Sequence, residues 1–184
     1  MSTIEPNNST ENQRVAIVGT LANTMLGFRG ELIRDLVASG HTVFAFAIDY
    51  TPATEQEIRA MGATPVSYRM GQLSTNPLSD IKAMLQLYRL FKARAITLSY
   101  CYFSKPAIYG TLAAKLAGVK TRVAKIEGLG RVFTSHPDGD KLKKRILRRI
   151  MAALFRISLP HAHKVLVLNE GDKQDLQSFS TKIP

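Results

Sequence analysis

A carboxylate, Glu127, closes an apolar run and is followed by Gly128 and Gly130. A carboxylate in such a place can accept a hydrogen bond from a substrate hydroxyl or act as a general base. Glycines beside it let a ligand approach the backbone closely. The plainer alternative is that Glu127 accepts bonds from the amides of its own turn. A second group, Tyr100, Tyr102, Phe103, Ser104 and Lys105, precedes Pro106, a residue suited to a helix's first turn. Aromatic faces stack on sugar rings, and an ammonium near a helix N-terminus is disfavoured by the dipole and wants an anionic partner; core packing and a surface lysine are the competing reading. A third group runs from Gly19 and Thr20 through Gly27 to Phe28 and Arg29. It predicts a glycine-punctuated loop and then a helix whose free amides, with the forked Arg29 guanidinium, suit an anion. Against this, the glycines could serve backbone geometry alone, with Arg29 solvated. The spacing is not the G-x-G-x-x-G of a dinucleotide fingerprint, which weakens a nicotinamide role.

A different chemistry is concentrated further on. Between Lys141 and Arg156 the sequence holds seven Lys/Arg and no Asp or Glu, and the whole chain carries a formal net charge of +11. Leu142, Ile146, Ile150, Leu154 and Ile157 fall on one stripe at helical spacing, with Leu147, Met151 and Phe155 beside it. Lys141, Lys144, Arg145, Arg148, Arg149 and Arg156 crowd the other side. Such a helix can lie on an anionic membrane, each basic residue near the surface contributing about 1 kcal/mol; an ordinary helix packed on a sheet with a solvated basic face is the alternative. Basic helices also track nucleic-acid phosphates, but no nucleic-acid-binding motif accompanies the charge.

The elements that must position these groups alternate. Apolar or β-branched runs at Arg14–Thr20, His41–Ile48, Thr64–Arg69, Ala95–Tyr100, Arg122–Ile126 and Lys164–Leu168 read as strands. Helical patterns fall between them: a stretch from Phe28 to a stop at Gly40, then Thr54–Met61, Leu78–Lys92, Pro106–Ala117, Asp140–Leu159, and a last helix from about Glu170. Asn76 and Pro77 mark the start of the third. This alternation predicts an α/β class, a doubly wound parallel sheet with right-handed crossovers in a single Rossmann-like domain. Ligands of such sheets bind beyond the carboxyl ends of the strands, where all three loop groups would lie.

Length and composition agree with one domain. The 184 residues are 45% hydrophobic and 21% charged, as in soluble chains, and hold no apolar run long enough to span a bilayer. Residues 1–13 are polar, include Glu5 and Glu11, and lack the basic start and apolar middle of a secretory signal. They are expected to be a disordered tail on a cytoplasmic protein. The lone cysteine, Cys101, reads as a half-buried thiol beside a strand. Tyr88 and Lys92 hint at a short-chain oxidoreductase pair, but they precede the fourth strand, too early in the chain, and read better as i, i+4 surface neighbours.

The order of four motifs resembles one family. Phe28 and Arg29 open the first helical pattern, TNPL at residues 75–78 precedes the third, SKPAIYGTLAAKLAG spans 104–118, and IEGLGRVFT spans 126–134. Together they are similar to the amino-terminal domain of family-4-type GT-B glycosyltransferases, over residues 14–179, and most of all to bacterial members that extend lipid-linked oligosaccharides for O-antigen or capsule. The resemblance implies two facing Rossmann-like domains, the first binding the acceptor and the second the nucleotide-sugar, with retention of configuration and no required metal. It places Gly19, Thr20, Phe28 and Arg29 along the interdomain cleft, Tyr100, Ser104 and Lys105 on the acceptor side, and Glu127, Gly128 and Gly130 near the reacting centre, with Glu127 the candidate catalytic group. The implied partners are a polyprenyl-diphosphate-linked saccharide and the anionic inner face of the cell membrane. The family's donor-side glutamate pair, E-x7-E, has no counterpart here, and residues 180–184 read as the start of a linker. A donor-binding domain, in cis or in trans, is therefore expected to hold the nucleotide-sugar. The 184 residues alone are expected to bind no cofactor and transfer no sugar, and a split subunit or non-catalytic remnant stays open.

Overall fold

The computed structural model describes residues 12–71, 76–128 and 142–179. Among these residues six parallel strands form one sheet: β1 Arg14–Val18, β2 Thr42–Ala47, β3 Thr64–Ser67, β4 Leu98–Tyr102, β5 Thr121–Ile126 and β6 Lys164–Val167. Their order across the sheet is β3-β2-β1-β4-β5-β6. The chain steps outward from β1 to β3, then returns to β4 on the other side of β1, which makes the β1/β4 boundary the topological switch point. In register, Val15 lies beside both Val43 and Leu98, and Val18 beside Phe46 and Cys101.

Among the described residues six α-helices cover the sheet: α1 Ala22–Ala38, α2 Pro52–Ala60, α3 Pro77–Ala93, α4 Thr111–Ala117, α5 Leu142–Ser158 and α6 Glu170–Ser178. Side chains alternate across each strand, which gives two cores. Val15, Ile17, Val43 and Ala45 pack with Met25 and Ile33 of α1 and Ile58 of α2. On the opposite face, Ala16, Val18, Phe44 and Phe46 pack with Leu87 and Phe91 of α3, Ala113 and Ala114 of α4, Phe155 of α5 and Leu176 of α6. Phe46 and Phe91 meet edge to face, with ring centroids 5.4 Å apart.

Most of the expected elements are present, with three shifts. α1 begins at Ala22, so Gly27 lies within the helix and Phe28 and Arg29 sit on its second turn rather than at its start. Its first amide is not free: Leu21 offers no capping side chain, and the Ala22 amide donates to Asp49 Oδ1, just past the end of β2, at 2.7 Å. β4 starts at Leu98, three residues later than the apolar pattern suggests, because Arg94 and Ala95 end α3 in a turn with Ala95 at φ 46°. Tyr100, Cys101 and Tyr102 are therefore strand residues, and Cys101 is fully buried rather than half-buried. The helix expected from Pro106 opens as one π-helical turn, Pro106–Gly110, before α4. Asn76 caps α3 as expected, its side chain accepting the Leu78 amide at 3.0 Å. Gln13, placed in the tail by the sequence, is bonded into the sheet margin: its carbonyl accepts from the Thr42 amide and its side chain from the Thr97 hydroxyl.

Candidate functional site

Three of the expected groups converge where β1, β4 and β5 end. Arg29 reaches in from α1 with its side chain only 7% exposed, and its Nη2 is paired with Glu127 Oε1 just beyond β5. Lys125 Nζ approaches the same oxygen at 2.9 Å. The guanidinium lies over the Tyr102 ring, 4.3 Å from its centroid, and 5.8 Å from that of Tyr100. Cation–π contact and the ion pair together offset the cost of burying the charge. Among the described residues, one carboxylate between two cations leaves the cluster net positive. Ser104 Oγ lies 3.5 Å from the Gly128 carbonyl, joining the ends of β4 and β5. Gly128 adopts φ 76°, a left-handed conformation that suits glycine, and it turns the chain away directly after Glu127.

Other expected site residues are committed elsewhere. Gly19 supports the cluster from below: a Cβ there would fall 2.1 Å from Tyr102 Oη, and its carbonyl accepts from Tyr68 Oη at 2.6 Å. Gly19 and Thr20 continue the pairing of β1 with β2, through the Gly19 amide to Phe46 O and the Ile48 amide to Thr20 O. Phe28 is exposed, and its carbonyl accepts from Arg29 Nη1 at 2.7 Å. Lys105 does have the anionic partner that its position demands, but within the chain. Its Nζ donates to both oxygens of the buried Asp80, at 2.8 and 2.9 Å, and to Gly71 O at 2.8 Å, tying the π-turn to α3. Tyr109, on the same turn, has its hydroxyl pushed up to about 12 by burial first and then by the Asp80 carboxylate. Gly130, Lys141 and the Lys144 side chain lie outside the described residues.

The basic helix forms, but its apolar stripe divides. Phe155, Met151 and Leu154 pack on the core, whereas Leu142, Ile146, Ile150 and Ile157 face outward. Arg145, Arg149 and Arg156 are exposed beside that outward strip. No described helix is long and apolar enough to cross a membrane.

A family model for Glycosyltransferase Family 4 matches residues 30–183. The chain belongs to that family. This glycosyltransferase domain is 24% identical over 171 residues to the N,N'-diacetylbacillosaminyl-diphospho-undecaprenol alpha-1,3-N-acetylgalactosaminyltransferase of Campylobacter jejuni, covering 92% of this chain and 43% of that protein. Among solved structures it is similar to a glycosyltransferase from Rickettsia africae, with a TM-score of 0.59 at 16% identity, covering 93% of this chain and 41% of that one. It is also similar to a putative UDP-N-acetylglucosamine 2-epimerase from Listeria monocytogenes, with a TM-score of 0.57 at 14% identity, covering 94% and 43%. The glycosyltransferase domain thus spans less than half the length of these relatives, and its six-stranded parallel sheet is a Rossmann-like half of the GT-B fold. Because the epimerase shares the architecture, the fold alone does not choose between reactions.

Sequence reasoning passed over three features of this glycosyltransferase domain. Lys125 was hidden by its position within a strand, and only period-2 alternation ending at Glu127 could have placed the two on one face. Asp80 gave no signal beyond a first-turn carboxylate. The third is a cleft of about 510 Å³ between α3 and the segments after β2 and β3, lined by Ile48, Tyr68, Arg69, Met70, Gly71, Ser79, Lys82, Ala83 and Gln86. Its lining mixes apolar Ile48, Met70 and Ala83 with polar Arg69, Ser79, Lys82 and Gln86.

Proposed function

We propose that this domain is the acceptor-binding half of a glycosyltransferase that moves a sugar from a nucleotide-sugar to a polyprenyl-diphosphate-linked saccharide during assembly of a cell-surface polysaccharide such as O-antigen or capsule. The observation that carries it is the match, along 92% of this chain, to a relative named for a diphospho-undecaprenol acceptor. The electrostatics suit that substrate. Arg29 and Lys125 present excess positive charge at the strand ends, suited to a diphosphate, and Tyr100, half-buried beside Arg29, offers an aromatic face to a sugar ring.

In this reading Glu127 works first as a clasp. Its carboxylate holds Arg29 and Lys125 in place, and it meets a substrate hydroxyl only when an incoming phosphate takes over one of the cations. Configuration is retained without a required metal, and the nucleotide-sugar binds a donor domain supplied in cis or in trans. α5 holds the domain against the anionic inner face of the cell membrane.

The test is binding of the 184-residue chain to nanodiscs containing undecaprenyl-diphosphate-linked saccharide, against nanodiscs with undecaprenyl phosphate alone. Preference for the saccharide-bearing lipid, weakened at least about tenfold by Arg29→Met, is expected. Equal affinity for the two lipids would overturn the acceptor assignment. With labelled nucleotide-sugar added, the chain by itself is expected to transfer nothing.

A further inference from the structure

The reading above gives membrane contact to α5 alone, but the apolar surface is larger than that helix. Among the described residues, eleven large hydrophobic side chains are exposed, and eight of them lie on α3, α4 and α5: Leu78, Ile81 and Leu85, then Leu116, then Leu142, Ile146, Ile150 and Ile157. Each is between 42% and 70% exposed. These three helices cover the same face of the sheet. α4 packs on α3, and the π-turn leading into α4 touches α5.

The phases of burial show how the strips are aimed. On α3 the exposed row Leu78, Ile81 and Leu85 is displaced to one flank of the buried row Ala83, Leu87 and Phe91. On α5 the exposed row is displaced to the opposite flank of Met151, Phe155 and Ser158. Right-handed crossovers set α3 and α5 on either side of α4, so the two rows turn toward each other above it, where Leu116 is exposed.

Charge selects the occupant. The sequences of these three helices hold ten Lys/Arg and a single acidic residue, Asp80, which is buried and bound to Lys105. The helices on the other side of the sheet are mixed: α1 and α2 carry Glu31, Asp35, Glu55 and Glu57 against Arg29, Arg34 and Arg59. The fourth helix on this side, α6, carries Glu170, Asp172 and Asp175 but none of the exposed aliphatic side chains; the aliphatic surface of α3, α4 and α5 is itself framed by cations and matches an anionic lipid surface.

We propose that α3, α4 and α5 form one membrane-seating face, with the α3 row Leu78, Ile81 and Leu85 entering the lipid together with the α5 row. This rests on the membrane reading of α5 and enlarges it. α3 also lines the 510 Å³ cleft through Ser79, Lys82 and Gln86, each one residue on from the exposed row and so on an adjoining side of the helix.

Vesicle co-sedimentation of the 184-residue chain decides it, using phosphatidylcholine vesicles with and without phosphatidylglycerol. Two double variants are compared, Ile81→Glu with Leu85→Glu, and Ile146→Glu with Ile150→Glu. All four positions are exposed, and unchanged circular dichroism and thermal midpoints establish that the variants fold. The expected result is binding that phosphatidylglycerol strengthens and that either pair weakens at least about tenfold. Loss with the α5 pair but not the α3 pair would overturn the three-helix face and leave the α5 reading standing. No binding of the parent chain to either vesicle would overturn both. A lipid-free dimer broken by the α3 pair, with vesicle binding untouched, would assign the α3 row to self-association and overturn the proposal.

Discussion

Arg29 and Glu127 are separated by 98 positions, and what joins them is the cost of burying charge. With side chains 7% and 13% exposed, neither is comfortable without the other. Glu127→Gln is expected to destabilise the domain by about 2 kcal/mol, because it leaves the guanidinium buried with a weaker partner. In the double variant Arg29→Met with Glu127→Gln, much of that loss should return, so urea unfolding of the full cycle should give a coupling of at least about 1 kcal/mol. Additive losses would mean that the pair does not act as a unit. Cys101 makes a second residue-scale case. Burial pushes its thiol up to about 12 from an ordinary value near 9. Above the lower value the unfolded chain ionises while the folded thiol stays protonated, so this group stabilises the fold fully below pH 9 and progressively less as pH rises toward 12. At pH 8 a thiol reagent is expected to label Cys101 only at the rate of unfolding, and fast labelling in native buffer would contradict its burial. Both Arg29 and Glu127 were legible as chemistry-bearing residues. Their pairing was not, because it depends on a helix from one half of the fold meeting a strand end from the other.

At the scale of elements, strands and helices read well wherever apolar periodicity was long, and failed where tertiary contacts set a boundary. The start of α1 shows why: glycine at position 27 suggested a loop, but the Ala22 amide is capped by Asp49 from the end of β2, 27 residues away. β4 moved for a similar reason, since Ile96 is apolar and buried yet belongs to the turn before the strand. The π-turn at Pro106–Gly110 was invisible in the pattern and has a physical signature of its own. Gly110 lies against Cys101, such that an added Cβ would fall 2.7 Å from Sγ and 3.4 Å from Cys101 Cβ. Gly110→Ala should therefore cost about 1–3 kcal/mol through overpacking. Removing the sulfur with Cys101→Ala should restore much of it, as read from thermal midpoints of the single and double variants. If the second change gives no rescue, the strain lies in the turn's backbone rather than against the β4 side chain. The Lys105–Asp80 pair holds this turn to α3 from its other end, and Asp80→Asn should loosen that junction. Faster amide exchange at Ala107–Gly110 than in β1 would show it, with uniform acceleration everywhere pointing to global destabilisation instead.

Over the whole molecule the two sides of the sheet differ in kind. One is covered by helices of mixed charge; on the other, beside the acidic α6, three helices carry ten cations and eight exposed aliphatic side chains. The net charge of +11 gave the sign of this field and the run at 141–156 part of its location. The contribution of α3 was not legible, because its outward row becomes apparent only once Ala83, Leu87 and Phe91 are seen to face the core. Such a face makes two separable contributions to membrane binding. Attraction between exposed cations and anionic headgroups is screened, since the Debye length shrinks from about 10 Å at 0.1 M salt to about 3 Å at 1 M. Burial of aliphatic side chains in the lipid boundary is not weakened by salt in the same way. Binding to phosphatidylglycerol-containing vesicles should therefore fall steeply between these concentrations and then level off above zero, with the residue removed by Ile146→Glu with Ile150→Glu. Neutralising Arg145 and Arg149 should flatten the salt dependence and leave the high-salt level unchanged. Complete release at 1 M salt would mean that the aliphatic rows never enter the lipid and that the domain is held by charge alone.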